Sequence, residues 1–147
     1  MNSDDLKHRT KAFALRIIRL VEALLPGRVA DVIGKQLVRC GTSVGANYRA
    51  ACRAKSNADF IAKMGIVEEE ADESIYWMEL LVESGLMPKE RIEDLMDEGD
   101  QLVAIIVSSI NTARGGKRNE KNKNDLGERK SAIRNPQSAI ESEVIDG

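Results

Sequence analysis

The chain has 147 residues, of which 42% are hydrophobic, 31% charged and 3% aromatic, and its formal net charge is −2. This length and balance are typical of one soluble globular domain. They exclude a membrane-spanning chain, because no apolar run approaches the roughly 18–20 residues that a span needs. The first residues contain no signal-peptide core, so we expect a cytoplasmic protein.

The first predicted helix runs from Asp4 to Leu25 and ends at Pro26-Gly27. Proline and glycine directly after a periodic apolar segment are typical of a helix end. The core stripe predicted for this helix consists of Leu6, Phe13, Ile17, Leu20 and Leu24. Their spacing of three, four and seven residues is that of one helix face.

The second predicted helix runs from Val29 to Lys55 although it contains three glycines. Each helical glycine costs about 1 kcal/mol relative to alanine, so close packing of a neighbouring helix is expected to compensate. The apolar face predicted for it consists of Val29, Ile33, Cys40, Val44 and Ala51.

The third and fourth helices have the clearest periodicity. Ser56-Asn57 is predicted to cap the third helix, Gly85 closes it, and Pro88 opens the fourth as a first-turn proline. The third core stripe consists of Phe60, Met64, Val67, Ala71, Ile75, Met78 and Val82. The fourth consists of Ile92, Leu95, Gly99, Leu102, Ile106 and Ile110.

Four amphipathic helices with short connections predict an all-α protein, an antiparallel up-down-up-down four-helix bundle, over residues 1–114. The periodicity stops near Gly115, and the polar stretch that follows is rich in Gly, Asn and Lys. Residues 115–147 are therefore predicted to form a disordered, low-complexity tail.

Three polar residues interrupt the apolar face of the second helix: Gln36, Ser43 and Asn47. A buried polar side chain without a partner costs roughly 1–3 kcal/mol. We therefore expect these residues to be buried in a structural polar network with groups on other helices. Glu70 is the expected partner, because it flanks the core face of the third helix.

Charge is distributed unevenly along the chain. Residues 1–56 contain 11 Lys and Arg against 4 Asp and Glu, whereas residues 57–113 contain 3 against 14. On the second helix, Lys35, Arg39, Arg49 and Arg53 lie within one arc of the helical wheel. This cluster is read as a solvated face, as a nucleic-acid contact, or as a contact with an acidic subunit.

No catalytic, cofactor-binding or metal-binding constellation is found in the sequence. A di-iron bundle needs Glu-x-x-His motifs, and the single histidine, His8, forms none. The glycines of RCGTSVGA match neither phosphate-loop pattern, and Ser43 has no base near it in sequence. We therefore expect a non-enzymatic protein without cofactors.

A second set of apolar residues lies outside the predicted core stripes. It consists of Leu15 and Ile18 on the first helix and Ile66, Trp77 and Leu80 on the third. Two such stripes on a small bundle favour burial by self-association, so these residues are candidates for an oligomer interface.

Over residues 4–113 the chain resembles the bacterial four-helix-bundle proteins encoded in intervening sequences of 23S ribosomal RNA genes. The resemblance is carried by Gln36, Arg39, Ser43 and Asn47, then Phe60, Glu70-Ala71-Asp72-Glu73, Trp77 and Leu80-Leu81. It implies a left-handed bundle that assembles into a barrel-shaped homopentamer. One relative is the accessory protein of diversity-generating retroelements, a basic pentamer that binds a reverse transcriptase and nucleic acid.

Two functional interpretations follow from these observations. The first is a self-assembling bundle that binds RNA, DNA or a nucleic-acid enzyme such as a reverse transcriptase. The second is a protein-binding scaffold whose basic cluster pairs with acidic helices of neighbouring subunits. The resemblance is incomplete for the first, because residues 1–113 carry 14 basic against 18 acidic side chains.

Overall fold

The computed structural model describes residues 1–115 and places four helices in them. They are α1 (Ser3–Glu22), α2 (Arg28–Cys52), α3 (Asn57–Glu83) and α4 (Lys89–Ala113). The predicted tail, apart from Gly115, lies outside the described residues. None of these four helices is long and apolar enough to cross a membrane.

The helices pack in chain order around one core. α1 contacts α2, α2 contacts α3, α3 contacts α4, and α4 closes the bundle against α1; among residues 1–115 the diagonal helices have no Cα atoms within 8 Å of each other and meet only through side chains of the shared core. The short connections require each helix to run antiparallel to the one before it. The prediction of an all-α up-down-up-down bundle is confirmed.

Local sequence explains where the helices begin and end. Asn2 caps α1 in a reciprocal capping box with Asp5, and the Ser56 hydroxyl accepts from the Asp59 amide at 3.0 Å at the start of α3. Gly85 has a φ of +78° directly after α3, a conformation that favours glycine. Pro88 is the residue before α4 rather than its first residue, one position from the prediction.

The core confirms the predicted stripes of α3 and α4 almost entirely. All six predicted residues of α4 are buried, as are Met64, Val67, Ala71, Ile75 and Met78 of α3. Leu20, Leu24, Phe60 and Val82 are only partly buried against the core. Five buried residues of α2 were not in the predicted stripe: Ala30, Gly34, Leu37, Gly41 and Tyr48.

The expectation that Val29 belongs to the core is wrong, since 57% of its surface is exposed. The contact between Cys40 and Ser74 sets the register of α2 against α3. In that register Val29 lies opposite the residues that follow Glu83, the last residue of α3, so no other helix among residues 1–115 covers it.

Glycines bring α1 and α2 close together. A Cβ added to Gly41 would lie 2.3 Å from Ile17 Cδ1, and one added to Gly45 would lie 3.2 Å from Thr10 Oγ1. Ile17 and Thr10 are fully buried in this seam. The close packing expected from the helical glycines is therefore present, and a larger side chain at either position would force Ile17 or Thr10 to shift.

Gly41→Ala and Gly65→Ala form a matched pair that tests this seam. Both gain the helix propensity of alanine, but an added Cβ at Gly65 meets nothing within 4 Å. We expect the free energy of unfolding to be lower for Gly41→Ala than for Gly65→Ala by about 1–3 kcal/mol, the cost of overpacking. Urea unfolding followed by circular dichroism measures the difference, and equal stabilities would contradict the account.

Candidate functional site

The polar residues of α2 lie on the flank that faces α3, and all three are partly buried. The Ser43 hydroxyl donates to the Arg39 carbonyl at 2.6 Å, and the Asn47 amide donates to the Ser43 carbonyl at 2.9 Å. The Gln36 side-chain oxygen accepts from Arg39 Nε at 3.0 Å. The expectation that these residues bond to other helices is therefore wrong. For Ser43 and Asn47, on this partly exposed flank, the nearest acceptor is the backbone carbonyl one turn earlier in α2.

Arg39, rather than Gln36, Ser43 or Asn47, connects α2 to α3. Its guanidinium pairs with Glu70 at 3.4 Å and more closely with Glu73, both on α3. The hydrogen bond to Glu73 raises the pKa of Arg39 above its ordinary value. Glu70 thus belongs to the network, but as a partner of Arg39 rather than of Gln36, Ser43 or Asn47.

Beneath this network Cys40 and Ser74 meet across the α2–α3 seam, with Ser74 Oγ 3.2 Å from Cys40 Sγ. Both residues are fully buried. Burial raises the pKa of the Cys40 thiol to about 11. The thiol is therefore protonated at neutral pH and serves as a small core group.

The predicted basic cluster separates into three places. Arg39 is held by α3, whereas Lys35, Arg49 and Arg53 are exposed and make no ion pair among residues 1–115. Lys35 lies toward the α1–α2 loop, and Arg49 is about 21 Å farther along the helix at 1.5 Å per residue. Arg49 and Arg53 lie beside the α2–α3 loop, at the opposite end of the bundle.

Because the helices pack in chain order, the uneven distribution of charge along the sequence gives the bundle one basic side and one acidic side. The basic helices α1 and α2 are neighbours, and so are the acidic helices α3 and α4. The exposed carboxylates of the acidic side include Glu69 and Asp72 on α3 and Glu90, Glu93, Asp94 and Asp97 on α4. One long side of the bundle is therefore basic and the other acidic.

The predicted interface residues divide into two groups. Leu15, Ile18 and Ile66 are exposed, at 43%, 38% and 44% of their surface. Trp77 and Leu80 are partly buried and pack against the core, and no acceptor within residues 1–115 meets the enclosed Trp77 Nε1. Further exposed apolar residues that the sequence did not single out are Leu25, Val32, Tyr76 and Leu86, together with Val29.

Two open cavities lie at opposite ends of the bundle. One is a groove of about 520 Å³ between the second half of α1 and the first half of α2, lined by Val21, Leu25, Gly34, Lys35 and Val38 among others. The other, about 720 Å³, lies between the start of α1 and the end of α4. Within the described part of the chain no three His, Cys, Asp or Glu residues group as metal ligands would.

Comparison with known proteins identifies relatives but no activity. Residues 4–108 match the model of the family described as 23S rRNA-intervening sequence protein. A crystal structure of a protein of unknown function from the S23 ribosomal protein family of Bacteroides thetaiotaomicron is 37% identical. The match covers 71% of this chain and 97% of that one, with a TM-score of 0.67. No curated protein matches the chain significantly.

Substitution of Arg39 tests whether its role is to hold α2 against α3. We expect Arg39→Gln to lower the melting temperature at low salt, and the difference from wild type to shrink as salt screens the ion pairs. Arg49→Gln is the matched control, since Arg49 has no ion pair among residues 1–115. Equal effects of the two variants at every salt concentration would show that the Arg39 pairs add no stability.

Proposed function

The chain belongs to the 23S rRNA-intervening sequence protein family, and we propose that it acts, without catalysis, as a self-assembling bundle that binds nucleic acid or a nucleic-acid enzyme. The observation that carries the proposal is the division of the bundle into a basic and an acidic side, with apolar residues exposed between the charges. A surface of this composition supports association with a complementary surface.

Self-association is the first part of the proposal. Because the two charged sides belong to the same chain, copies can associate head to tail, with the basic side of one against the acidic side of the next. Such a heterologous contact closes into a ring when its rotation permits. The family resemblance favours a ring of five copies.

Nucleic-acid binding is the second part. Arg49 and Arg53 are exposed, make no ion pair among residues 1–115, and lie beside Lys55 at one end of the bundle. One bundle presents few such cations, but a ring brings together those of every copy at one rim. Several phosphate contacts made at once would bind RNA or DNA in a salt-dependent way.

The second candidate function is a protein-binding scaffold without a nucleic-acid role. The observation in its favour is the ion pairing of Arg39 with Glu70 and Glu73. Because of these pairs, Arg39 is not available to bind a phosphate group of RNA or DNA. In this interpretation Arg49 and Arg53 contact acidic protein surfaces, and the partner of the ring is a protein.

Light scattering tests self-association. We expect wild type at micromolar concentration to have a mass several times that of the 16.2 kDa chain, five times if the family resemblance holds. Ile18→Glu places a charge in the exposed apolar surface and should lower the mass while helicity is retained. Ala104→Glu, on the exposed side of α4, is the control and should assemble as wild type does. A wild-type monomer would refute self-association.

Salt titration of binding to RNA and DNA separates the two functions. For the nucleic-acid function, the logarithm of the affinity falls linearly with the logarithm of salt, by about 0.7–0.9 per phosphate contact. We expect the double variant Arg49→Gln, Arg53→Gln to weaken binding and flatten this slope. Arg39→Gln should change neither quantity, because Arg39 is held by α3. No binding at low salt would leave the scaffold function.

A further inference from the structure

The outer edge of α3 carries a regular stripe of exposed and half-exposed residues. Its members, named here the α3 ridge, are Ile66, Glu69, Glu73, Tyr76 and Leu80. Their spacing of 3, 4, 3 and 4 residues keeps them on one line along the helix. The ridge therefore combines apolar and acidic side chains. Ile66, Glu69 and Tyr76 are exposed, whereas Glu73 is paired with Arg39 of α2 and Leu80 is partly buried against the core.

Tyr76 is the aromatic residue of the α3 ridge. Its ring, 38% exposed, stands edge-on to the ring of Trp77 with a centroid distance of 5.2 Å. Trp77 itself packs against the core. The aromatic contact holds Tyr76 in place at the surface, so its burial by a partner would cost little conformational freedom.

The groove of about 520 Å³ between α1 and α2, named here the α1/α2 groove, is lined mainly by apolar residues. Gly34 forms part of it, and Val21 packs against Gly34, with Val21 Cγ1 3.0 Å from the position of an added Cβ. Its walls include Leu25, which is 82% exposed, and Val38. Its charged lining residues are the exposed Asp31 and Lys35, together with Arg39, which is paired with α3.

We infer that the α3 ridge of one copy packs into the α1/α2 groove of the next copy. Apolar groups of the ridge, Ile66 and Tyr76, would cover the apolar walls, and the exposed carboxylate of Glu69 would face the basic helices α1 and α2. A ridge of one helix between two helices of another is the ordinary geometry of helix packing. This inference rests on the self-association proposed above and names the surfaces that meet.

The positions of ridge and groove on the bundle permit a closed ring. The α3 ridge faces outward from α3, and the α1/α2 groove faces outward between α1 and α2. In a four-helix bundle these two directions are roughly 90–135° apart. A ring of five requires about 108° between the two contacts of each subunit. Every copy can therefore use its ridge and its groove at the same time.

Complementation between two variants tests the inference without knowledge of the register. The groove variant carries Leu25→Glu and Lys35→Glu, and the ridge variant carries Ile66→Lys and Tyr76→Lys, all at exposed positions. Each variant alone retains one intact surface, so we expect each to sediment as a monomer with wild-type helicity. Ala104→Lys, at an exposed and uncharged position of α4, is the control and should assemble normally.

The mixture of the two variants gives the decisive result. One intact ridge and one intact groove remain between them, so we expect a 1:1 dimer of twice the 16.2 kDa chain mass and nothing larger. Variants that still assemble alone would overturn the inference while self-association stands. Monomeric variants that form no dimer when mixed at high concentration would also overturn it. A monomeric wild type would refute the proposed function itself.

Discussion

The close approach of α1 and α2 is the constraint on which the rest of the structure depends. Gly41 and Gly45 leave room only for the side chains of Ile17 and Thr10, so α2 cannot move away without opening a cavity or toward α1 without a clash. This seam fixes two helices rich in Lys and Arg side by side. Their mutual repulsion is tolerated because the apolar contact along the seam is tight and because most of the charges face water.

With α1 and α2 joined, the acidic helices must form the opposite side of the bundle. α3 attaches to α2 through the buried contact of Cys40 with Ser74 and, at the surface, through Arg39 with Glu70 and Glu73. α4 attaches to α1 through a two-point pair of Arg9 with Glu98. Cross-helix pairs of opposite charge thus occur where the basic and acidic halves meet, and the remaining charges face outward on separate sides. Packing and electrostatics specify the same arrangement of helices.

Much of the fold could be predicted from the sequence because the helices and their buried faces follow from local patterns of residues. The stripes of α3 and α4 and the cap at Ser56 depend only on spacing and residue type. The candidate site was less predictable, because a helical wheel gives the direction of a side chain but not what lies opposite it. The helical wheel places Val29 on the core face, yet it lies beyond the end of α3 and is exposed. Asn47 and Ser43 point toward α3 yet bond within α2. The pairing of Arg39 with Glu73 depends on the register between two helices, which one sequence does not contain.

In the proposed assembly, the basic helices α1 and α2 of one copy meet α3 of the next copy. Carbodiimide cross-linking tests it directly, because this reagent joins a lysine to a carboxylate only where the two are in contact. In a mixture of ¹⁵N-labelled and unlabelled wild-type chains, we expect mixed-isotope cross-links between lysines of α1 or α2 and carboxylates of α3. Cross-links confined to single chains, or mixed ones that avoid α3, would contradict the claim.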